Sequence, residues 1–217
     1  MAYSSMFNYI FEVYIKNIGR LIIPTLALLI AEVVLGAIVF IVVLASAPLM
    51  FHSVFALGAA AITATLIASL IIAFVFAGVI IALVEISMSI WEGRFRSSLA
   101  TLAEAYRKPY YPQVVLASII VAVLIWLMDS THSLLGFLAA GILYPILVIT
   151  VAHVMEGMSL SSAASKAIGK LLNILNVDVA ALAIIFIVGL VSKVVILDLF
   201  AFPLLTLYLT YILKKGA

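Results

Sequence analysis

VFALGAAAITATLIASLIIAFVFAGVIIALVEISMSI, residues Val54–Ile90, contains a single ionisable side chain, Glu85, and no turn sequence interrupts it. A helix needs about 20 apolar residues to cross roughly 30 Å of hydrocarbon. At about 1.5 Å per residue this run exceeds that thickness by some twenty ångströms, so we read it as one tilted helix projecting into the aqueous phase. Five further apolar runs flank it: Leu21–Leu44, Val114–Met128, Leu134–Met155, Val179–Leu197 and Phe200–Leu213. The expected fold is therefore an all-α membrane protein with six transmembrane helices.

Composition agrees. Of 217 residues, 68% are hydrophobic and 9% charged, against about a quarter charged in soluble domains, whose surface must face water. The length suits one integral membrane domain over residues 1–217. No cysteine is present, which rules out disulfides and thiolate chemistry. A net charge of +2 without a long basic run gives no reason to expect a nucleic-acid partner. Glu12 and Lys16 interrupt the N-terminal apolar pattern, so no cleavable signal peptide is expected there.

Charge asymmetry sets the expected orientation. Lys16, Arg20, Arg94, Arg96, Arg107, Lys108, Lys166, Lys170, Lys214 and Lys215 all fall on one side of a six-span arrangement. Only Lys193, near Asp198 in sequence, falls on the other. The positive-inside rule then places both termini in the cytoplasm of a cell-membrane, multi-pass protein.

Each cytoplasmic segment reads as an amphipathic helix leading into two spans. Phe7, Ile10, Phe11, Tyr14, Ile15 and Ile18 form the first apolar stripe. Leu99, Leu102, Ala103 and Tyr106 form the second. The third is Leu160, Ala163, Ala164, Ala167, Ile168, Leu171, Leu172 and Leu175, at clean helical spacing. The joints match as well: Glu92-Gly93 and Glu156-Gly157 each end a span just before a serine-containing segment. Tyr144-Pro145 and Phe202-Pro203 each lie about a dozen residues before a helix end. These matches predict three parallel repeats, approximately 3–92, 93–156 and 157–217.

The Glu-Gly joint, small-residue amphipathic helix and following hydrophobic pair resemble a superfamily of six-span bacterial and archaeal membrane proteins. It includes the membrane domain attached to some glycerophosphoryl diester phosphodiesterases, and related uncharacterised membrane families. The resemblance covers nearly the whole chain and implies an architecture but no reaction, since the phosphodiesterase catalytic domain is absent.

Polar residues inside the spans are the candidate sites. Glu32 lies about twelve residues into the first span, roughly 18 Å from Arg20 and near the midplane. A carboxylate there costs at least about 2.5 kcal/mol unless protonated, paired or hydrated. Thr63, Thr65 and Ser69 could line a transport path with Glu32; the structural alternative is a neutral Glu32 hydrogen-bonding between helices. Glu85, His153 and Glu156 are the candidates for a metal, His153 and Glu156 sharing a helix face; the alternative is that they face water and headgroups. Ala60, Ala64, Ala68, Ala73 and Ala77 let helices approach closely, within the monomer or in a homo-oligomer. No Gly-x-Ser-x-Gly or His-Glu-x-x-His motif occurs, and His52 and His132 fall in predicted loops away from the cytoplasmic serines, so neither catalysis nor a cofactor is expected.

Two functions follow. The first is a non-catalytic scaffold, assembly factor or partner subunit, contacting lipids and docking a protein on its amphipathic helices. The alternative is a small-solute or ion transporter or channel with Glu32 in its path. A polar cavity reaching the midplane would separate them.

Overall fold

The computed structural model describes residues 6–46 and 54–215, with side chains placed for all of these except 46, 54–61 and 195–196. Eight helices make up the described chain: α1 Phe7–Ser46, α2 Val54–Trp91, α3 Ser98–Ala105, α4 Tyr111–Thr131, α5 Ser133–Met155, α6 Leu160–Val177, α7 Val179–Val191 and α8 Val195–Lys215. No strand occurs among the described residues. Five of the helices, α1, α2, α4, α5 and α8, are long and apolar enough to cross a membrane. The run Val54–Ile90 is a single helix, α2.

Two boundaries differ from the sequence reading. The first amphipathic stripe is not a separate helix but the opening turns of α1, a helix of 40 residues. The fifth apolar run breaks: α7 has 13 residues, about 20 Å of helix. It ends in a turn in which the Ser192, Lys193 and Val194 amides bond to Val188, Leu190 and Val191 carbonyls. Hydropathy passes over this break because one lysine in an apolar run barely lowers a window average.

Local chemistry accounts for the other ends. Pro112 occupies the start of α4, where a missing N–H costs nothing. Ser159 Oγ caps α6 by accepting from the Ser162 amide, and Asp178 Oδ1 caps α7 by accepting from the Ala181 amide. The two Glu-Gly joints have the same geometry. Gly93 and Gly157 have φ of +68° and +92°, the left-handed backbone that glycine alone adopts without a Cβ penalty. At each joint the glycine amide bonds three residues back and the next amide five back: Gly93 to Ile90 and Arg94 to Ser89, Gly157 to Val154 and Met158 to His153. Both are Schellman caps.

Three prolines lie inside helices: Pro24, Pro145 and Pro203. Each lacks the N–H that would bond the carbonyl four residues earlier, and in lipid an unpaired carbonyl is costly. Neighbouring helices donate hydroxyls to two of these carbonyls and pack on the third. Ser98 Oγ donates to Arg20 O at 2.7 Å and Thr25 Oγ1 to Leu199 O at 3.3 Å. Gly189 of α7 packs directly on Gly141 O. Tyr14 Oη also donates to Phe200 O at 3.0 Å, so α1 bonds the α8 backbone just before Pro203 twice.

The packing has a regular order. α2, α5 and α8 touch one another pairwise. Around them α1 packs on α2 and α8, α4 on α5 and α2, and α7 on α8 and α5. α3 and α6 lie against α2 and α5. The tightest core is toward the α3 and α6 end, where Val79–Val84 of α2, Leu147–Val154 of α5 and Leu207–Leu209 of α8 are buried almost completely. Trp91 Nε1–H donates to Leu207 O at 3.1 Å, and Lys214 Nζ to Trp91 O at 2.8 Å, which ties the ends of α2 and α8 together. Ala68, Ala73 and Ala77 are buried within the chain and Ala64 is half-buried. The Ala60 side chain and His52 lie outside the described residues.

Candidate functional site: an acidic cleft among five helices

A cleft of about 370 Å³ lies among α1, α2, α4, α5 and α8. Three carboxylates line it: Glu32 of α1, Asp129 near the end of α4, and Asp198 in the first turn of α8. Tyr144, Ser69 and Ser118 are hydroxyl-bearing residues of the lining, and Phe76 and Trp126 are aromatic ones. On α4 the lining runs from Asp129 inward to Ser118, about 16 Å along a helix of about 31 Å. The cleft therefore passes the middle of α4.

The Ser118 side chain is 2% exposed, and its Oγ has no hydrogen-bond partner among the described residues. Such a group in an apolar interior loses hydration without replacement. Among the described residues, neither Glu32 nor Asp198 makes an ion pair. Asp129 does: its Oδ1 lies 2.6 Å from Lys193 Nζ, which also sits 4.5 Å from the centre of the Phe137 ring. So Lys193 pairs with Asp129 across space and not with Asp198, its neighbour in sequence.

Gly136 makes that pair possible, since a Cβ there would collide with both the Asp129 carboxylate and the Lys193 ammonium. The Lys193 ammonium can swing away, but the Asp129 Cβ, 2.8 Å from the added atom, is fixed to the α4 backbone, so the α4–α5 turn itself must give. Gly136→Ala is therefore expected to cost about 1–2 kcal/mol, as for other atoms inserted into a close contact, while separating Lys193 from Asp129. Acylation of Lys193 by a membrane-impermeant amine reagent should accelerate several-fold; an unchanged rate would show that the pair survives.

The sequence candidates fall apart into separate places. Ser69 joins Glu32 in the cleft. Thr63 instead lines an apolar groove between α1 and α2, with Leu35 and Ile38 among its neighbours. Thr65 is exposed and lines neither. The three residues considered for a metal do not converge, and among the described residues no group of three His, Cys, Asp or Glu side chains could hold one. Glu85 is engaged by Arg96 at 2.6 Å, Lys108 at 2.8 Å and the Tyr110 hydroxyl at 3.0 Å. His153 Nδ1 pairs with Glu156 Oε2 at 2.9 Å.

The Glu85 cluster is a clasp. It joins α2 to the loop before α3 and to the segment leading into α4. Burial, with the Glu85 carboxylate close by, pushes the Tyr110 phenol well above its usual range, so the phenol keeps its proton and donates it to Glu85. At the nearby joint, the hydrogen bond from Arg94 holds the exposed Glu92 below the usual carboxylate range.

Sequence reasoning missed Asp129, Asp198, Ser118, Tyr144 and Trp126. Asp198 carried the one available signal, an acid within an apolar stretch. Ser118 carried none, because serines are common in membrane helices.

Protein-family models, curated proteins and solved structures give no match to this chain.

Proposed function

We propose that this protein handles a cation within the membrane, as a small transporter or channel whose path includes the acidic cleft and Glu32. One observation carries the reading: two carboxylates without ion-pair partners among the described residues, and a third paired with Lys193, line a cleft that passes the middle of α4. Unpaired acids are expensive at that depth, and such groups usually face a cavity that serves a substrate or ion.

The architecture we propose around it is six spans in three parallel repeats, with both termini, α3 and α6 in the cytoplasm. The inner α2, α5 and α8, the outer α1, α4 and α7, the matched Schellman joints and the proline in one span of each pair all support it. α7 is the short sixth crossing, which a locally thinned bilayer can accommodate at modest cost. The same plan is implied by the resemblance to the phosphodiesterase-associated membrane domain.

The test is cation flux in proteoliposomes, with Rb⁺ and methylammonium as tracers. Glu32→Gln keeps the side-chain shape and removes the charge, and should lower flux at least about tenfold with unchanged incorporation and melting temperature. Equal flux through the variant would overturn the reading.

A second reading, a scaffold that docks a protein partner, is favoured by the exposed row Ile168, Leu172 and Leu175 on α6. A photo-crosslinker at Leu172 that captures one defined polypeptide in native membranes, and not lipid, would support it.

A further inference from the structure

We propose that the cleft takes an amphiphilic organic ammonium ion, a positively charged nitrogen on an aromatic or branched apolar body, and not a bare metal ion. The inference rests on the cation-handling reading and names its ligand.

Size is the first argument. A cleft of about 370 Å³ falls within the roughly 300–1,000 Å³ of small-molecule sites. It is many times the share of one water, about 30 Å³, so a dehydrated inorganic ion would leave most of it empty. Chemistry of the walls is the second. Carboxylates from α1 and α8 stand among apolar and aromatic side chains, with Phe76, Trp126 and Tyr144 in the lining. Metal ions need several oxygens converging on one point, and no such convergence of three acidic or histidine groups occurs among the described residues. A carboxylate beside aromatic faces is instead the usual recognition chemistry of substituted ammonium groups.

The third argument is already present at the rim. Lys193 is an alkylammonium held by a carboxylate, Asp129, and by the face of Phe137. Its side chain is 17% exposed. The chain thus satisfies one of the three carboxylates with its own tethered amine. Among the described residues, Glu32 and Asp198 have no such partner, and the buried Ser118 hydroxyl has no hydrogen-bond partner. A free ammonium ligand supplies both: positive charge for the carboxylates and, where it bears N–H groups, a donor for Ser118 Oγ. Its body replaces water along Ile72, Val121 and Ile125.

Trp126 on the cleft wall reports binding. The chain has two tryptophans, so Trp91→Phe leaves Trp126 as the sole indole. In full-length Trp91→Phe protein in nanodiscs, benzyltrimethylammonium should quench this fluorescence saturably. Glu32→Gln should weaken the binding at least about thirtyfold, and Asp198→Asn should weaken it too. Ala122→Leu, which adds volume to the cleft wall and removes no carboxylate, should abolish it; melting temperatures verify that each variant is folded. Na⁺ and Mg²⁺ should displace the probe no better than choline chloride at equal ionic strength. If neopentylbenzene, the uncharged isostere, binds equally well, the site is merely apolar and the proposal falls. If Na⁺ or Mg²⁺ competes specifically, the organic ligand is wrong while the cation-handling reading stands. If no cation binds in a Glu32-dependent manner and flux is unaffected by Glu32→Gln, both fall.

Discussion

Glu85→Gln is expected to destabilise the folded protein by about 2–3 kcal/mol. Glu85 is buried, and its two oxygens receive Arg96, Lys108 and Tyr110. Breaking a fully buried ion pair by removing one partner costs about 3–5 kcal/mol, because the other charge is stranded. Here the cost is smaller, since the Arg96 side chain is 40% exposed and can turn toward water. Lys108, at 26%, has less freedom. The measurement is unfolding in mixed micelles with increasing SDS. A cycle with Lys108→Met should show coupling, the double variant losing less than the sum of the two singles. Additive losses, or a loss below about 0.5 kcal/mol for Glu85→Gln, would show that the clasp contributes no more than an exposed ion pair.

Gly189→Val should cost about 2–3 kcal/mol, near the upper end of what inserting side-chain atoms into a packed interior does. A Cβ at Gly189 would lie 3.1 Å from Gly141 O and 3.3 Å from Pro145 Cδ. The first is backbone and the second a ring, so neither can swing aside; α7 itself must move. Larger side chains add to the displacement. The contact exists because Pro145 leaves Gly141 O without its helix donor and only glycine allows α7 close enough to cover it. From the other side, a Cβ at Gly141 would meet the Phe186 ring at 2.7 Å. Gly169 of α6 is the matched control, with nothing within 4 Å of an added Cβ. Gly169→Ala should be neutral or stabilising by up to about 1 kcal/mol, from helix propensity alone. If Gly189→Val and Gly169→Ala behaved alike, the α5–α7 contact would have no energetic role.

How much of this was legible depends on how local the cause is. The Glu-Gly joints could be read from two dipeptides because a Schellman cap is made within six residues. The apolar runs could be read for the same reason: partition into lipid sums over residues of one helix and needs no neighbour. The turn at Ser192–Val194 was not legible, since its flanks are as apolar as a continuous span. The merger of the first amphipathic stripe with α1 was not legible: Lys16 and Arg20 separate the stripe from the apolar run, and α1 continues past them and through Pro24. In the fold its freed carbonyl is capped by Ser98, a residue 78 positions away from Arg20 in sequence.

The candidate site divides along the same line. Glu32 stood out because a carboxylate in an apolar run is costly in any fold. Thr63 and Thr65 were grouped with it by depth alone, and depth says nothing about which face of a helix a side chain occupies. Asp198, Asp129, Ser118 and Tyr144 reach the cleft on three other helices.

The sequence alone determined that the chain is helical, that most of its surface faces lipid, where its longest spans lie and where two of them end in glycine. Those properties follow from the hydration and backbone preferences of residues close together in the chain. Only the tertiary structure decided that α1, α2, α4, α5 and α8 leave a cleft between them, that its carboxylates come from three helices, and that Lys193 serves Asp129. In lipid, apolar surface supplies little attraction between helices. Their rotation and approach are therefore set by contacts between distant segments, such as glycine on a proline-freed carbonyl or a hydroxyl on the backbone of a proline-containing helix.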